Sequence, residues 1–395
     1  MAEGAAPQRQ SFGFLLLYAL AWAGGAIAYV PFLTILLPVR MTALAGANDI
    51  QALGYVTFFG AIAASGGGVL FGWLSDRTRS RRFWVVAGLL LTIALLLAVP
   101  LATDVPSLIA IIVAWQLALN MMLAPLAAWA GDCVPDRQKG LLGGLLAFSP
   151  ALGALSCAFV TIPGLADADG RLVLVALLVA GAVLPVLLFG RPRPFPELSA
   201  PAPAAEGTAR PASIVARMWS ARLLVQIAEA ALFAYLFFWF RSIEPAITDS
   251  ETARLFSLVL TIAVPLALLA GRWADRSGRP ILPLVICAGV LTLGLAAMAL
   301  SETLMTAKLS YVVFGVAATI FLSLHSGQTL RVLQRPERRG RDLGLFNLTN
   351  TVPSLIMPWL TISLVPGFGF DALFLLLAAL ASLAVVLLAT MPRLR

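Results

Sequence analysis

The chain carries one short sequence twice, and this repetition decides how the fold is read. Residues 72–79 read GWLSDRTR and residues 271–279 read GRWADRSGR, so a G-x-x-x-D-R core recurs at an offset of 271 − 72 = 199 residues. A second pair keeps nearly the same spacing, since PDRQKG at 135–140 is matched by PERRG at 336–340, an offset of 336 − 135 = 201. Two markers at nearly one offset predict two similar halves in tandem.

The composition surrounding these loops is that of a membrane protein. Of 395 residues, 60% are hydrophobic and 12% are charged, and the mean hydropathy is +0.94. Soluble domains average roughly 45–50% apolar and about 25% charged residues. A water-soluble globular protein, a disordered chain and a disulfide scaffold are therefore excluded. The three cysteines form no C-x-x-C pair, so we expect no disulfide, metal site or cofactor.

Apolar runs long enough to cross a membrane occur throughout the chain. A spanning helix needs about 20 apolar residues for a hydrocarbon core of roughly 30 Å. The sequence therefore predicts an all-α integral membrane fold, with twelve transmembrane helices in two six-helix pseudo-repeats. The predicted spans cover about 12–39, 51–75, 83–103, 107–131, 140–163, 171–190, 220–241, 253–274, 280–301, 308–332, 343–365 and 371–391.

One long polar segment separates the two predicted halves. Residues 191–219 are rich in Pro, Ala and Ser, which is typical of an extended linker. We therefore expect an N-terminal six-helix bundle over 1–190, a cytoplasmic linker over 191–219 and a C-terminal six-helix bundle over 220–395.

The positive charges set the predicted orientation. The net charge of +8 raises the question of nucleic acid binding, but the basic residues lie between apolar runs. With the N-terminus inside, 22 of the 27 Lys and Arg residues fall on the cytoplasmic side. This asymmetry predicts a multi-pass protein with both termini cytoplasmic. The Ala-, Arg- and Pro-rich composition favours a bacterial inner membrane, with lipids as partners, no nucleic acid and a monomeric chain.

At these loops the chain resembles the major facilitator superfamily, whose most recognisable motif is G-x-x-x-D-R-x-(G)-R after spans two and eight. Residues 76–82 (DRTRSRR) and 344–354 (GLFNLTNTVPS) are similar to the glycoside–pentoside–hexuronide cation symporters and the sucrose–proton symporters. The resemblance implies a central cavity lined by spans one, four, seven and ten. Sodium-coupled members carry acids within spans two and four. Here residues 55–74 contain none and Asp132 lies at the cytoplasmic mouth, so sodium coupling is not expected.

The loop motifs predict a gate on the cytoplasmic side. Asp76 and Asp275 end their helices there, where they can bond backbone N–H groups or pair with arginines across the two halves. The alternative is that the basic residues serve only membrane topology. The predicted gating residues are Asp76, Arg77, Asp136, Arg137, Asp275 and Arg276.

Charges inside a bilayer are expensive, and each is a candidate functional group. Of 19 acidic residues, only Glu229 lies well inside a predicted span, seven residues after Arg222. With Arg222 at the cytoplasmic edge, Glu229 is roughly 10 Å deep. His325, the one histidine, lies six residues before Arg331, and Asn350 lies about six residues into the eleventh span. These three are expected to converge in one layer of the second half.

Polar side chains favour the spans that the resemblance assigns to the cavity. Each set also has a purely structural explanation. The aromatic residues would pack between helices, and the side-chain amides would form hydrogen bonds between helices. The histidine would bond to a backbone carbonyl, and a protonated glutamate would bond to Gln226. The predicted substrate-binding residues are Tyr18, Trp22 and Tyr29 on span one, Gln116 and Asn120 on span four, Gln226 and Glu229 on span seven, His325 and Gln328 on span ten, and Asn350 on span eleven.

These residues predict a secondary active transporter that works by alternating access. Glu229, assisted by His325, would couple protons to the uptake of a small neutral solute such as a sugar or glycoside. An exporter of amphipathic or lipophilic compounds is the second hypothesis, since one acid among aromatics also suits cationic drugs. A non-transporting sensor or assembly factor ranks lower because both loop motifs are present. No H-E-x-x-H, G-x-S-x-G or G-x-x-x-x-G-K-[ST] motif occurs, so neither an enzyme nor an ATP-driven pump is expected.

Overall fold

The computed structural model describes residues 9–146, 148–193, 195, 212–277, 281–332 and 339–391, and the regular elements in those ranges are helices. A π-helical turn, Phe32–Leu36, joins the first two α-helices, and short 3-10 turns follow the second and fourth. The α-helices are α1 (Phe12–Pro31), α2 (Leu37–Ala45), α3 (Asp49–Thr78), α4 (Arg81–Ala98), α5 (Val105–Cys133), α6 (Asp136–Leu146), α7 (Ser149–Val160), α8 (Ala168–Phe189), α9 (Ala212–Ile243), α10 (Asp249–Ser277), α11 (Leu282–Ala299), α12 (Leu304–Val332) and α13 (Arg339–Ala389).

The number of membrane crossings follows from ten apolar helical runs in the described residues. Two of these runs are long enough to cross twice, Phe12–Thr78 with 67 residues and Val352–Ala389 with 38. The chain turns within the first at Gly46, where φ is 55°, and within α13 at Gly369, where φ is 76°. Glycine suits both turns because it has no Cβ to oppose a positive φ. The predicted all-α fold with twelve spans is confirmed.

The first compact unit comprises Met1–Phe32 and Ile62–Pro201. Within it α1 packs against α7 and α8, and α4 packs against α5 and α8. Small residues mark these contacts, as they do in many membrane helix pairs. Gly88 on α4, for example, faces the backbone of Met122 on α5 so closely that a side chain there would meet backbone atoms.

A buried glutamine, Gln10, ties together several segments at one end of this unit. Gln10 donates from Nε2 to the Cys133 carbonyl at 2.9 Å, and its backbone N–H donates to Gln138 Oε1 at 2.6 Å. Gln138 returns a bond to the Gln10 carbonyl at 3.1 Å, and the Arg193 N–H donates to Gln10 Oε1 at 3.1 Å. One side chain thus joins the start of the chain, the end of α5, α6 and the segment after α8.

The second compact unit comprises Leu33–Ala61 and Ala202–Arg395. Here α9 packs against α12 and α13, α11 packs against α12 and α13, and α10 packs against α12. Residues 33–61 belong to this unit although they precede the predicted linker. The division into bundles at 190 and 220 stays a prediction.

The internal repeat extends to the N-terminal caps of α5 and α12, each of which follows a short loop. Asp104 begins α5, accepting from the Ser107 N–H at 2.8 Å, and the Ser107 hydroxyl faces the Asp104 N–H at 3.3 Å. Thr303 and Thr306 exchange the same two bonds at the start of α12, at 3.3 and 3.2 Å. Asp104 and Thr303 are 303 − 104 = 199 residues apart, the same offset as between the two copies of the loop motif. Hydrogen bonding by the side chain and the backbone N–H of Ser107 also holds the pKa of the Asp104 carboxyl below its usual range.

The close approach of α11 to α12 gives a test of this packing. A Cβ at Gly294 would lie 2.8 Å from the Phe314 backbone nitrogen, whereas a Cβ at Gly289 on the same helix would meet nothing within 4 Å. Gly294→Ala should therefore destabilise the protein by about 1–3 kcal/mol, the usual cost of overpacking. Thermal unfolding of the purified protein measures this. Gly289→Ala is the matched control and should unfold within error of wild type; equal losses in both variants would contradict the packing.

Candidate functional site

Arg222 is the charge buried most deeply in α9. Its side chain is 6% exposed, and α9 begins at Ala212, eight residues before the start expected for the seventh span. The guanidinium donates from Nε to Thr349 Oγ1 on α13 at 3.1 Å and from Nη1 to the Leu322 carbonyl on α12 at 3.2 Å. Arg222 therefore joins three helices and does not mark the cytoplasmic edge.

Gln226 and Glu229 continue the same face of α9. The three residues are spaced at i, i+4 and i+7, which places them on one side of a helix. Gln226 donates from Nε2 to Glu229 Oε2 at 3.3 Å, and the charges of Arg222 and Glu229 attract each other. Gln226 and Glu229 are partly exposed, whereas Arg222 is buried. We call these three residues the α9 charge face.

One acceptor of the α9 charge face remains unused. Gln226 Oε1 is buried and has no hydrogen-bond partner within the described ranges. A buried acceptor without a donor costs free energy, so this oxygen is a place where a hydroxyl or amine of a ligand would bind favourably.

His325 lies apart from Glu229. Its ring is fully buried, donates from Nε2 to the Met218 carbonyl at 2.9 Å and packs beside Phe321 at 5.5 Å between ring centroids. Met218 precedes Glu229 by 229 − 218 = 11 residues on α9, which is about 16 Å along a helix axis. The structure therefore does not bring these two side chains into one layer. The contact is that of the structural alternative, a histidine bonded to a backbone carbonyl.

The candidates of the first half are uncharged and are partly engaged. Tyr18 is buried and donates to the Leu126 carbonyl at 2.8 Å, which links α1 to α5. Asn120 donates to the Gln116 carbonyl on its own helix at 2.9 Å and faces glycines of α3. Trp22, Tyr29 and Gln116 are partly exposed, and their contact with a ligand stays a prediction.

The loop between α3 and α4 centres on Arg81, which is not among the predicted gating residues. Arg81 pairs with Asp76 at 2.5 Å and with Asp132 at 2.9 Å, so one arginine on α4 joins the ends of α3 and α5. Arg77 lies over the Trp73 ring at 5.6 Å. Asp76 thus pairs with an arginine of its own half, and the predicted pairing across the two halves stays a prediction.

Several predicted residues cannot be placed at the level of side chains. Arg276 is exposed near the end of α10. The side chains that lie outside the described part of the chain are those of Asp136, Arg137, Asp275, Gln328 and Asn350. Among the residues that the structure describes, no three His, Cys, Asp or Glu side chains group as a metal site would require.

The family comparison covers nearly the whole chain. The family model described as Major Facilitator Superfamily matches residues 11–325 and 242–394, two overlapping segments. No curated protein matches the sequence significantly.

Solved structures of transporters share the fold. The crystal structure of a D-xylose-proton symporter is 15% identical, with a TM-score of 0.72 over 97% of this chain and 99% of that chain. The crystal structure of the human organic anion transporter MFSD10 (TETRAN) is also 15% identical, with a TM-score of 0.67 over 95% and 98% of the two chains. At this identity the likeness establishes the fold alone.

The α9 charge face can be tested by a double-mutant cycle. Arg222→Met should lower the free energy of unfolding by about 3 kcal/mol, because removing one buried charge leaves its partners uncompensated. Glu229→Gln should cost less, since Glu229 is partly exposed. The double variant should lose less than the sum by about 1 kcal/mol or more, the coupling expected of interacting neighbours. Denaturation in detergent measures all three.

Arg217→Met is the matched control. Arg217 lies on the same helix and donates to the Thr390 carbonyl at 2.6 Å from an exposed position. Its loss should change stability by less than about 0.5 kcal/mol. Strict additivity of the Arg222 and Glu229 variants would show that the two charges act independently.

Proposed function

The chain belongs to the major facilitator superfamily, and from that premise we propose that it is a proton-coupled transporter of a small neutral solute. The family makes it a multi-pass membrane transporter rather than an enzyme. The observation that carries the rest of the proposal is the α9 charge face, in which a partly exposed carboxylate shares a helix side with a buried guanidinium.

Proton coupling follows from the charge balance of this face. Two of the groups that hold Arg222, the Thr349 hydroxyl and the Leu322 carbonyl, are neutral. Glu229 adds a negative charge to the α9 charge face when it is ionised, and protonation removes that charge. Because net charge inside a membrane is costly, binding a proton at Glu229 changes the stability of any state in which the face is closed from water. That dependence is what coupling to a proton gradient requires.

A neutral, hydroxyl-bearing solute suits the polar groups around this charge pair. With Glu229 ionised the α9 charge face carries one positive and one negative side chain, so it favours neither sign of charge in a substrate. Gln226 Oε1 offers a buried acceptor without a donor, and a sugar hydroxyl supplies a donor. Partly exposed Trp22 and Tyr29 on α1 add aromatic surfaces of the kind on which sugar rings stack. Uptake of a sugar or glycoside is therefore the first candidate.

Two resemblances agree with this class of substrate. The segments 76–82 and 344–354 are similar to the glycoside and sucrose symporter branch, and one structural neighbour is a D-xylose-proton symporter. We place the chain in a bacterial inner membrane with both termini cytoplasmic, acting as a monomer among lipids. His325 takes a positioning part in this proposal, because its Nε2 is held by the Met218 carbonyl.

Export of amphipathic or lipophilic ions is the second candidate, and the same charge pair favours it. An organic anion could pair with Arg222 and a lipophilic cation with Glu229, each replacing one member of the pair. The organic anion transporter among the structural neighbours has this fold. A thermal-shift panel of neutral sugars, sugar acids, amino acids and lipophilic cations separates the candidates. A ligand that binds only the folded state at 100 times its Kd adds about 2.7 kcal/mol of stability.

Glu229→Gln tests the proposed coupling directly. In reconstituted vesicles the variant should lose accumulation driven by a proton gradient, because an amide cannot release a proton. It should keep exchange of labelled for unlabelled solute at equal concentrations on both sides, because that exchange needs no net proton movement. The solute is the panel member that stabilises wild type most, with D-xylose as the first probe.

Glu244→Gln is the control for this experiment, since Glu244 is an exposed acid beyond the end of α9. It should keep both activities. Proton-driven accumulation at the wild-type level in Glu229→Gln would remove Glu229 from the coupling. Stabilisation by lipophilic cations alone would favour the exporter.

A further inference from the structure

A helical hairpin of the first half packs with helices of the second half. It comprises residues 33–61, namely the end of the π-turn, α2, a 3-10 turn at Gly46–Asn48 and the first turns of α3. We call it the outer hairpin, because its tip is at the end of the helices opposite the arginine-rich loops. The compact unit that contains it also contains α9 and α13.

An ion pair fixes the tip of the outer hairpin to α9. Arg241, near the end of α9, pairs through Nη2 with Asp49 Oδ2 and donates from Nη1 to the Thr42 hydroxyl. Thr42 in turn donates to Asp49 Oδ2 at 3.0 Å, which closes a three-membered network. Asp49 is 5% exposed, so its charge is largely withdrawn from solvent. The Arg241 guanidinium also lies over the Phe238 ring at 4.8 Å.

Below this network the outer hairpin touches its neighbours closely. A Cβ at Gly54 would lie 2.5 Å from Ile362 Cδ1 on α13 and 3.4 Å from the Tyr235 hydroxyl on α9. The Trp359 ring of α13 meets the edge of Phe58 at 5.2 Å between centroids. The contact surface is therefore small and largely apolar, and charges occur at its rim.

We propose that Thr42, Asp49 and Arg241 form an outer latch, which holds the outer hairpin against α9 and must open for a solute to enter or leave on this side. The inference rests on the proposed transport function, since a carrier needs both a closed and an open state at each face. A charged network at a rim suits such a switch, because water can solvate both charges once they separate. A purely apolar contact would instead expose apolar surface to water each time it opened, which costs free energy.

The chain also provides a place for the outer hairpin to bend. The boundary between the two compact units falls between Phe32 and Leu33, within the π-helical turn Phe32–Leu36. Pro31 and Pro38 flank this turn. Prolines and π-turns interrupt the helical hydrogen-bond ladder and often mark hinges. The outer latch therefore lies at the tip of the outer hairpin, and the proposed hinge lies at the base of the hairpin, in the π-helical turn.

Distance measurements between spin labels test the outer latch without reference to any solute. Labels are placed on Gln51 and Glu244, both exposed, in full-length protein whose Cys133, Cys157 and Cys287 are replaced. Wild type should show mainly a short distance. Asp49→Asn and Arg241→Gln should each lower the ratio of short to long distances by about tenfold, the effect of losing hydrogen bonds to a charged group. The charge exchange Asp49→Arg with Arg241→Asp should restore much of the short population.

Glu251→Gln is the matched control, because Glu251 pairs with Lys308 at 3.7 Å between the starts of α10 and α12. It should leave the distances unchanged. Wild-type distances in both Asp49→Asn and Arg241→Gln, with the protein still monodisperse, would overturn the outer latch. If one variant fails to fold, the other and the charge exchange still decide.

Solute exchange measured on the same variants separates the two proposals. A shift in distances, in a protein that moves none of the panel solutes, would support the outer latch and contradict the proposed transport. Solute exchange by wild type, with unshifted distances in the variants, would support transport and contradict the outer latch.

Discussion

A bilayer offers no water to a charged side chain, so each charge within it must be compensated by the protein itself. In this chain the requirement falls most heavily on Arg222, which is 6% exposed and held by groups from two other helices. Both of those groups, the Thr349 hydroxyl and the Leu322 carbonyl, are neutral. Glu229 lies on the same helix face and is partly exposed, and we propose that its protonation changes the charge balance around Arg222. The packing of α9, α12 and α13 around Arg222 therefore places the proposed coupling group.

The two halves use one repeated framework for different purposes. Loop motifs and helix caps recur at an offset of 199 residues, as Gly72 and Gly271 or Asp104 and Thr303 illustrate. The predicted ligand residues of the first half are uncharged, and Arg81 joins Asp76 and Asp132 where α3 and α5 end. The second half carries the charge pair within its helices. We therefore propose a division in which the first half supplies amides and aromatic rings to the solute and the second half responds to protons.

Much of this architecture could be predicted from the sequence, since apolar runs and a repeated loop determine the number and order of the helices. Arg222 was missed because hydropathy does not show where a helix begins when its first turns are polar, and α9 begins at Ala212. The spacing of Arg222, Gln226 and Glu229 was the available signal. The pair between Asp49 and Arg241 joins residues 192 apart, and no local pattern announces such a contact. His325 was expected near Glu229 because depth along separate helices was counted from loop arginines, which do not share one level.

The central claim is that a neutral solute and a proton cross the membrane together. Current measurements on vesicles adsorbed to a solid-supported membrane test it most directly, because a neutral solute carries no charge of its own. A sudden addition of the stabilising solute, with no ion gradient present, should produce a transient current of positive charge moving with the solute. The current should weaken as the pH rises and fewer carboxyl groups carry a proton. Solute movement without any current at any pH would contradict the account.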